Sequence, residues 1–214
     1  MKYQAIIFDL DGVIVSTDLY HFQAWKQMAD SIGVYFDKQI NNRLRGVSRM
    51  ESLEIILERY DRTLTQDEKL QLAEKKNAIY RKQLLNMTEA DISCEVLVTL
   101  EKLRSTKLKL AIGSSSKNAR LILARVGLND FFDAISDGNN IANSKPDPEV
   151  FVTAAKMLGI DYDKCAVVED AKAGIIAAKR AGMIAIGIHD ATTAPECDII
   201  LASFSDLLIA VGVQ

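Results

Sequence analysis

Ala5-Ile6-Ile7-Phe8-Asp9-Leu10-Asp11-Gly12 decides how the chain is read. Four apolar residues run without a polar break, the pattern of a strand buried on both faces of a parallel sheet. Two carboxylates and a glycine follow at once. Parallel strands end at the sheet edge where open α/β folds hold their ligands. Residues two apart in extended chain point the same way, so Asp9 and Asp11 aim at one place. Like charges so placed repel unless a cation or a proton intervenes. The stretch therefore predicts a buried strand that ends in a charged site. Asp and Gly also favour ordinary turns, so the rest of the chain has to decide.

Other stretches repeat the theme. The apolar run at 108–113 leads into Ser114-Ser115-Ser116, and Ala166-Val167-Val168 leads into Glu169-Asp170. Residues 184–188 and 199–201 are further strand candidates, and helical patterns fill 94–104, 117–126, 148–158 and 172–181. This alternation predicts an α/β fold with a doubly wound, Rossmann-like parallel sheet. The early part differs. At 17–33 an amphipathic helix is expected, with Leu19, Phe22, Trp25, Met28, Ala29 and Ile32 on one face, Thr17 as its cap and Gly33 as its end. Residues 48–60 read as a helix opened by a Ser48/Glu51 capping box, and 65–85 as a charged amphipathic helix. The expected organisation is a core of 1–16 and 87–214, with a small all-helical cap of 17–86 inserted after the first strand and lying over the strand ends.

The 214 residues are 49% hydrophobic, enough for one large domain or one domain with an insertion. A formal charge of −3 gives no sign of a nucleic-acid surface. Cys94, Cys165 and Cys197 are scattered and form no CxxC pair, so neither a disulfide framework nor a zinc site is favoured. No apolar run spans a bilayer and no signal-peptide pattern is present. A cytoplasmic protein without membrane or nucleic-acid partners is expected, and nothing demands more than a monomer.

Asp9/Asp11, Ser114 and Glu169/Asp170 all follow strand candidates, and Lys145 lies in the Pro-flanked segment Ser144-Lys145-Pro146-Asp147-Pro148. Strand ends of a parallel sheet share one edge, so these groups are expected to converge. Carboxylate oxygens suit Mg²⁺, and the expected ligands are Asp9, Asp170, the main-chain carbonyl of Asp11, and Glu169. An ammonium and a hydroxyl suit a phosphoryl group. Asp9 is then the expected nucleophile on phosphorus and Asp11 the general acid and base. Taken singly, Ser114 reads as a helix cap, Lys145 as a solvated loop lysine, and Glu169-Asp170 as a surface turn. Their joint occurrence, in this order at strand ends, favours the catalytic reading.

With these residues in hand, the chain resembles the haloacid dehalogenase superfamily of phosphotransferases. The resemblance rests on Asp9 and Asp11, Ser114, Lys145 and the Glu169-Asp170 pair, and spans nearly the whole chain. It implies phosphorylation of the first Asp, acid–base work by the second, phosphate binding by Ser114 and Lys145, and Mg²⁺ held by the acidic pair. Further matches point to a sugar-phosphate mutase branch: His21-Phe22-Gln23-Ala24-Trp25, Gly46-Val47-Ser48-Arg49, Ser52-Leu53, Lys75-Lys76-Asn77, Ser114-Ser115-Ser116-Lys117-Asn118 and Ser144-Lys145-Pro146. That branch interconverts β-glucose 1-phosphate and glucose 6-phosphate, with glucose 1,6-bisphosphate as the activating intermediate.

Carried over by position, the resemblance implies that Arg49 grips the non-transferring phosphate and that Lys76 and Ser52 bind sugar or phosphate. It implies that His21 positions the acid/base, that Thr17 is a hinge, and that Lys117 and Asn118 meet the distal phosphate or sugar. Ser115, Ser116 and the segment Arg45, Gly46, Val47 and Ser48 join the expected substrate contacts. Trp25 reads equally as core and as sugar-pocket wall. Arg45 stands where the family commonly has Lys, and Ser16 where it commonly has Asp. The competing activity is a magnesium-dependent sugar-phosphate phosphatase, in which water attacks the same aspartyl-phosphate.

Overall fold

The computed structural model describes residues 3–44 and 47–213. Six strands form one parallel sheet in the order β3-β2-β1-β4-β5-β6: β1 (Ala5–Phe8), β2 (Lys109–Gly113), β3 (Ala134–Ser136), β4 (Cys165–Glu169), β5 (Ile184–Gly187) and β6 (Ile199–Ile200). This is the doubly wound order, reversing between β1 and β4. All four residues of β1 and all five of β4 are buried, which explains why neither shows polar alternation. Helix α7 (Glu149–Leu158) packs on β1, β2 and β3, and α8 (Lys172–Arg180) on β4 and β5. On the other face Phe8 meets Phe132 and Phe204, and α5 (Cys94–Arg104) packs against α9 (Asp206–Val211). Helix α6 (Ala119–Arg125) follows β2.

Contacts divide the chain into two compact units: Thr17–Met87, and the residues on either side of it. The first holds α1 (Asp18–Asp30), α2 (Lys38–Asn42), α3 (Arg49–Leu57) and α4 (Gln66–Leu84). Its core gathers Trp25, Met28, Ala29, Phe36, Leu53, Ile56 and Ala73. Capping boxes start α3 and α4. The Glu51 N–H donates to Ser48 Oγ while the Ser48 N–H donates to Glu51, and Thr65 and Glu68 repeat the exchange. Each such cap stabilises by about 1 kcal/mol.

Several expectations are corrected. Thr17 sits at the N-cap of α1 without a side-chain cap bond; its Oγ1 accepts instead from the Tyr80 hydroxyl at 2.9 Å. Leu19 is exposed because it lies about 120° round the helix from Trp25, off the buried arc. Strand β3 and helices α2 and α9 were not expected, because three- to six-residue elements carry too few residues for a periodic signal. Arg45 and Gly46 lie outside the described residues. Among the described residues no helix is long and apolar enough to cross a membrane.

Candidate active site

Register sets the first cluster. Phe8 is level with Ile112 of β2 and Val168 of β4, so Asp9 comes level with Gly113 and Glu169 at the sheet edge. The Asp9 N–H still donates to the Val168 carbonyl at 2.9 Å, which holds the residue in line with its strand. Beyond it the chain turns sharply. The N–H groups of Ile14 and Val15 both donate to the Leu10 carbonyl, and Gly12 takes φ +82°, a value that L side chains resist. A Cβ at Gly12 would also overlap the Asp170 carboxylate.

Lys145 Nζ donates to Asp9 Oδ1 at 2.5 Å and to Glu169 Oε1. Its ammonium also lies 4.7 Å from the centre of the Phe151 ring. The Ala171 N–H donates to the other Glu169 oxygen at 3.0 Å. One carboxylate oxygen each from Asp9, Glu169 and Asp170 lie within 4.8 Å of one another. Burial is the largest effect on Glu169 and Asp170, and with the neighbouring carboxylate charges it pushes both side chains well above the usual carboxylate range. Lys145 is held above its ordinary value, burial opposing and the Asp9 and Glu169 charges prevailing. Were all three groups ionised against the one ammonium, they would carry an excess of two negative charges in a buried place, which a bound cation would relieve. An all-oxygen donor set with that excess fits a hard divalent cation such as Mg²⁺. The Asp11 carboxylate is not part of this group.

Ser114, Ser115, Ser116, Lys117 and Asn118 form the loop from β2 to α6. The Ser114 hydroxyl accepts from the Ser116 N–H, and the Ser116 hydroxyl from the Asn118 N–H. Ser115 Oγ accepts from the Lys145 N–H at 3.4 Å, which ties this loop to the lysine segment. Ser114 and Asn118 are buried, Lys117 is exposed, and α6 begins only at Ala119. The turn after β3 supports the loop from behind. The Gly138 N–H donates to the Ser116 carbonyl, Asn139 Nδ2 donates to the Lys117 carbonyl, and a Cβ at Gly138 would stand 2.5 Å from the Ser115 carbonyl oxygen.

The second cluster lies in the helical unit. Lys76 Nζ donates to His21 Nδ1 at 2.9 Å. The same ammonium lies over the rings of Trp25 (4.8 Å) and Tyr80 (4.5 Å), and the His21 ring lies tilted against Tyr80 at 4.1 Å between ring centres. Burial, then the charges of Lys76 and Arg49, hold His21 well below the ordinary histidine value, so its ring stays neutral. Arg49 donates to Glu74 at 3.1 Å and to Asn77 at 3.0 Å. Ser52 is buried one turn beyond Arg49 on α3. Trp25 belongs to the unit's core, Ser48 is occupied as a cap, and Val47 is largely exposed. Thus His21, Lys76 and Arg49 come together. Tyr80, Asn77, Phe151 and Gly138 join these groups without having been assigned roles from sequence. Tyr80 had one usable signal, its i+4 spacing from Lys76.

A phosphotransferase with a doubly wound sheet and a helical insert accounts for both clusters. The chain matches the family model of haloacid dehalogenase-like hydrolases over residues 6–188, and it belongs to that family. It is 42% identical over 208 residues to a beta-phosphoglucomutase of Bacillus subtilis, covering 96% of this chain and 92% of the relative. A phosphorylated carbohydrates phosphatase of Thermotoga maritima is 31% identical over 183 residues, covering 84% and 82%. Among solved structures, a beta-phosphoglucomutase from Clostridium difficile superposes with a TM-score of 0.87 at 37% identity, covering 96% of this chain and 93% of the other.

Proposed function

We infer that the chain is a β-phosphoglucomutase, an isomerase that interconverts β-D-glucose 1-phosphate and D-glucose 6-phosphate by way of an aspartyl-phosphate and glucose 1,6-bisphosphate. Asp9 attacks phosphorus as the nucleophile. Lys145 donates to its carboxylate and to Glu169, and an ammonium has a third N–H to offer a phosphoryl oxygen as that group arrives. Ser114, with Ser115 and Ser116 bracing its loop, contributes further donors. Asp11 acts as acid and base toward the sugar hydroxyl. Asp9, Glu169, Asp170 and the Asp11 carbonyl hold Mg²⁺, which when bound offsets charge on the transferring oxygens.

A phosphatase needs only one phosphate grip. A mutase needs two, because the bisphosphate must be held by one phosphate while the other is transferred. The observation that carries the mutase reading is the half-buried Lys76–His21–Arg49 cluster, a second cationic group in a different unit from Asp9. Arg49 supplies a planar fork suited to phosphate, and Lys76 a point charge. His21, kept neutral, accepts from Lys76 and so fixes its direction. Lys117, Asn118 and Ser52 complete the sugar and distal-phosphate contacts, and Thr17 is the hinge. A single experiment tests the reading: β-glucose 1-phosphate with trace glucose 1,6-bisphosphate and Mg²⁺, assayed for glucose 6-phosphate and for free phosphate. Glucose 6-phosphate without matching phosphate release is expected. Stoichiometric phosphate release would make the protein a phosphatase.

A further inference from the structure

Gly174 is the third residue of α8, and nothing in its helix asks for glycine. Its φ is not positive, and helix propensity favours alanine there over glycine. What the position lacks is space. A Cβ built on Gly174 would overlap Cδ and Oε1 of Glu169. Oε1 is the oxygen paired with Lys145, and Oε2 is the one that accepts from the Ala171 N–H. Glu169 is buried and tied at both oxygens, so it cannot swing aside without losing one partner. Gly12 stands in the same relation to the other member of the pair, since a Cβ there would overlap Asp170 Oδ2.

We propose that Gly174 and Gly12 are positioning residues for the cation site, each leaving the volume into which one carboxylate of the Glu169-Asp170 pair is folded. Asp9, Glu169 and Asp170 bring three oxygens within one coordination sphere only because two backbones approach them without side chains. Gly174 gives the cleaner test, because Gly12 is also constrained by its positive φ. This proposal rests on the metal assignment above and is independent of the choice between mutase and phosphatase.

The experiment is a Mn²⁺ titration of the full chain followed by electron paramagnetic resonance, which counts free Mn²⁺ and needs no turnover. Asp170→Asn identifies the signal that belongs to the site. Gly174→Ala should weaken Mn²⁺ binding about 10- to 100-fold, the usual effect of disturbing the groups that orient a ligand. Shortening the carboxylate in Glu169→Asp/Gly174→Ala should restore part of that loss, because the methyl then has room. A purely helical effect of alanine would not respond to the length of residue 169. Should Gly174→Ala fail to fold, the same double variant is expected to recover folding. Unchanged Mn²⁺ affinity in Gly174→Ala overturns the proposal, as does a double variant that recovers neither affinity nor fold. Absence of Asp170-dependent Mn²⁺ binding in the unaltered protein overturns the metal assignment and this proposal together.

Discussion

Lowering the pH from 7.0 to 5.5 should destabilise the helical unit through His21. In the unfolded chain the ring titrates at 6.5, but in the folded unit burial and the Lys76 and Arg49 charges keep it neutral. Below 6.5 the unfolded state therefore binds one proton more than the folded state, and stability falls as pH falls. The contribution is fully present above that value and is lost progressively on acidification. With a folded ring neutral throughout the range, one such proton removes about 1.3 kcal/mol between the two pH values. That displaces a urea midpoint by roughly 0.5–1 M. The assay has a built-in reporter, because the chain's single tryptophan, Trp25, lies in the same core and beneath the same lysine. Urea unfolding followed by its fluorescence should show that loss in the parent protein and lack it in His21→Gln, whose amide carbonyl can still accept from Lys76. Carboxylates elsewhere titrate equally in both proteins, so the difference between them isolates one ring. An identical pH dependence in His21→Gln would refute the reasoning, as would a histidine resonance for residue 21 that titrates near the unperturbed value.

Asp9→Asn keeps the shape of the nucleophile and removes its charge, so turnover should fall by about four or more orders of magnitude, read in the coupled isomerase assay. Exhaustive chelation should abolish activity and added Mg²⁺ should restore it; full activity without metal would show that the acidic cluster is structural. Arg49→Ala should lower conversion of β-glucose 1-phosphate on the order of 10²-fold, because the distal phosphate is then poorly oriented. The same variant should still form phosphoenzyme from acetyl phosphate, and equal loss in both assays would point to misfolding instead.

The apolar run before Asp9 and the alternation of strand and helix signals were enough to determine a parallel α/β sheet with a helical insert. They worked because a strand buried on both faces has no other way to be written. The same logic placed Asp9, Glu169 and Asp170 at strand ends, and the Ser48/Glu51 capping box was legible because it is a local exchange between residues three apart. What tertiary structure alone decided is how those groups share space and charge. No spacing rule gives Lys145 two carboxylate partners 136 and 24 residues away, nor Phe151 as the ring beneath it. Nor does one show that Tyr80 joins Thr17 to the Lys76–His21 pair, or that Thr17 spends its hydroxyl there instead of on its helix. Gly174 stands inside a helix, where alanine is the better helix former. Its reason is a carboxylate from a neighbouring strand end, and a one-dimensional pattern cannot record a volume that must be left empty.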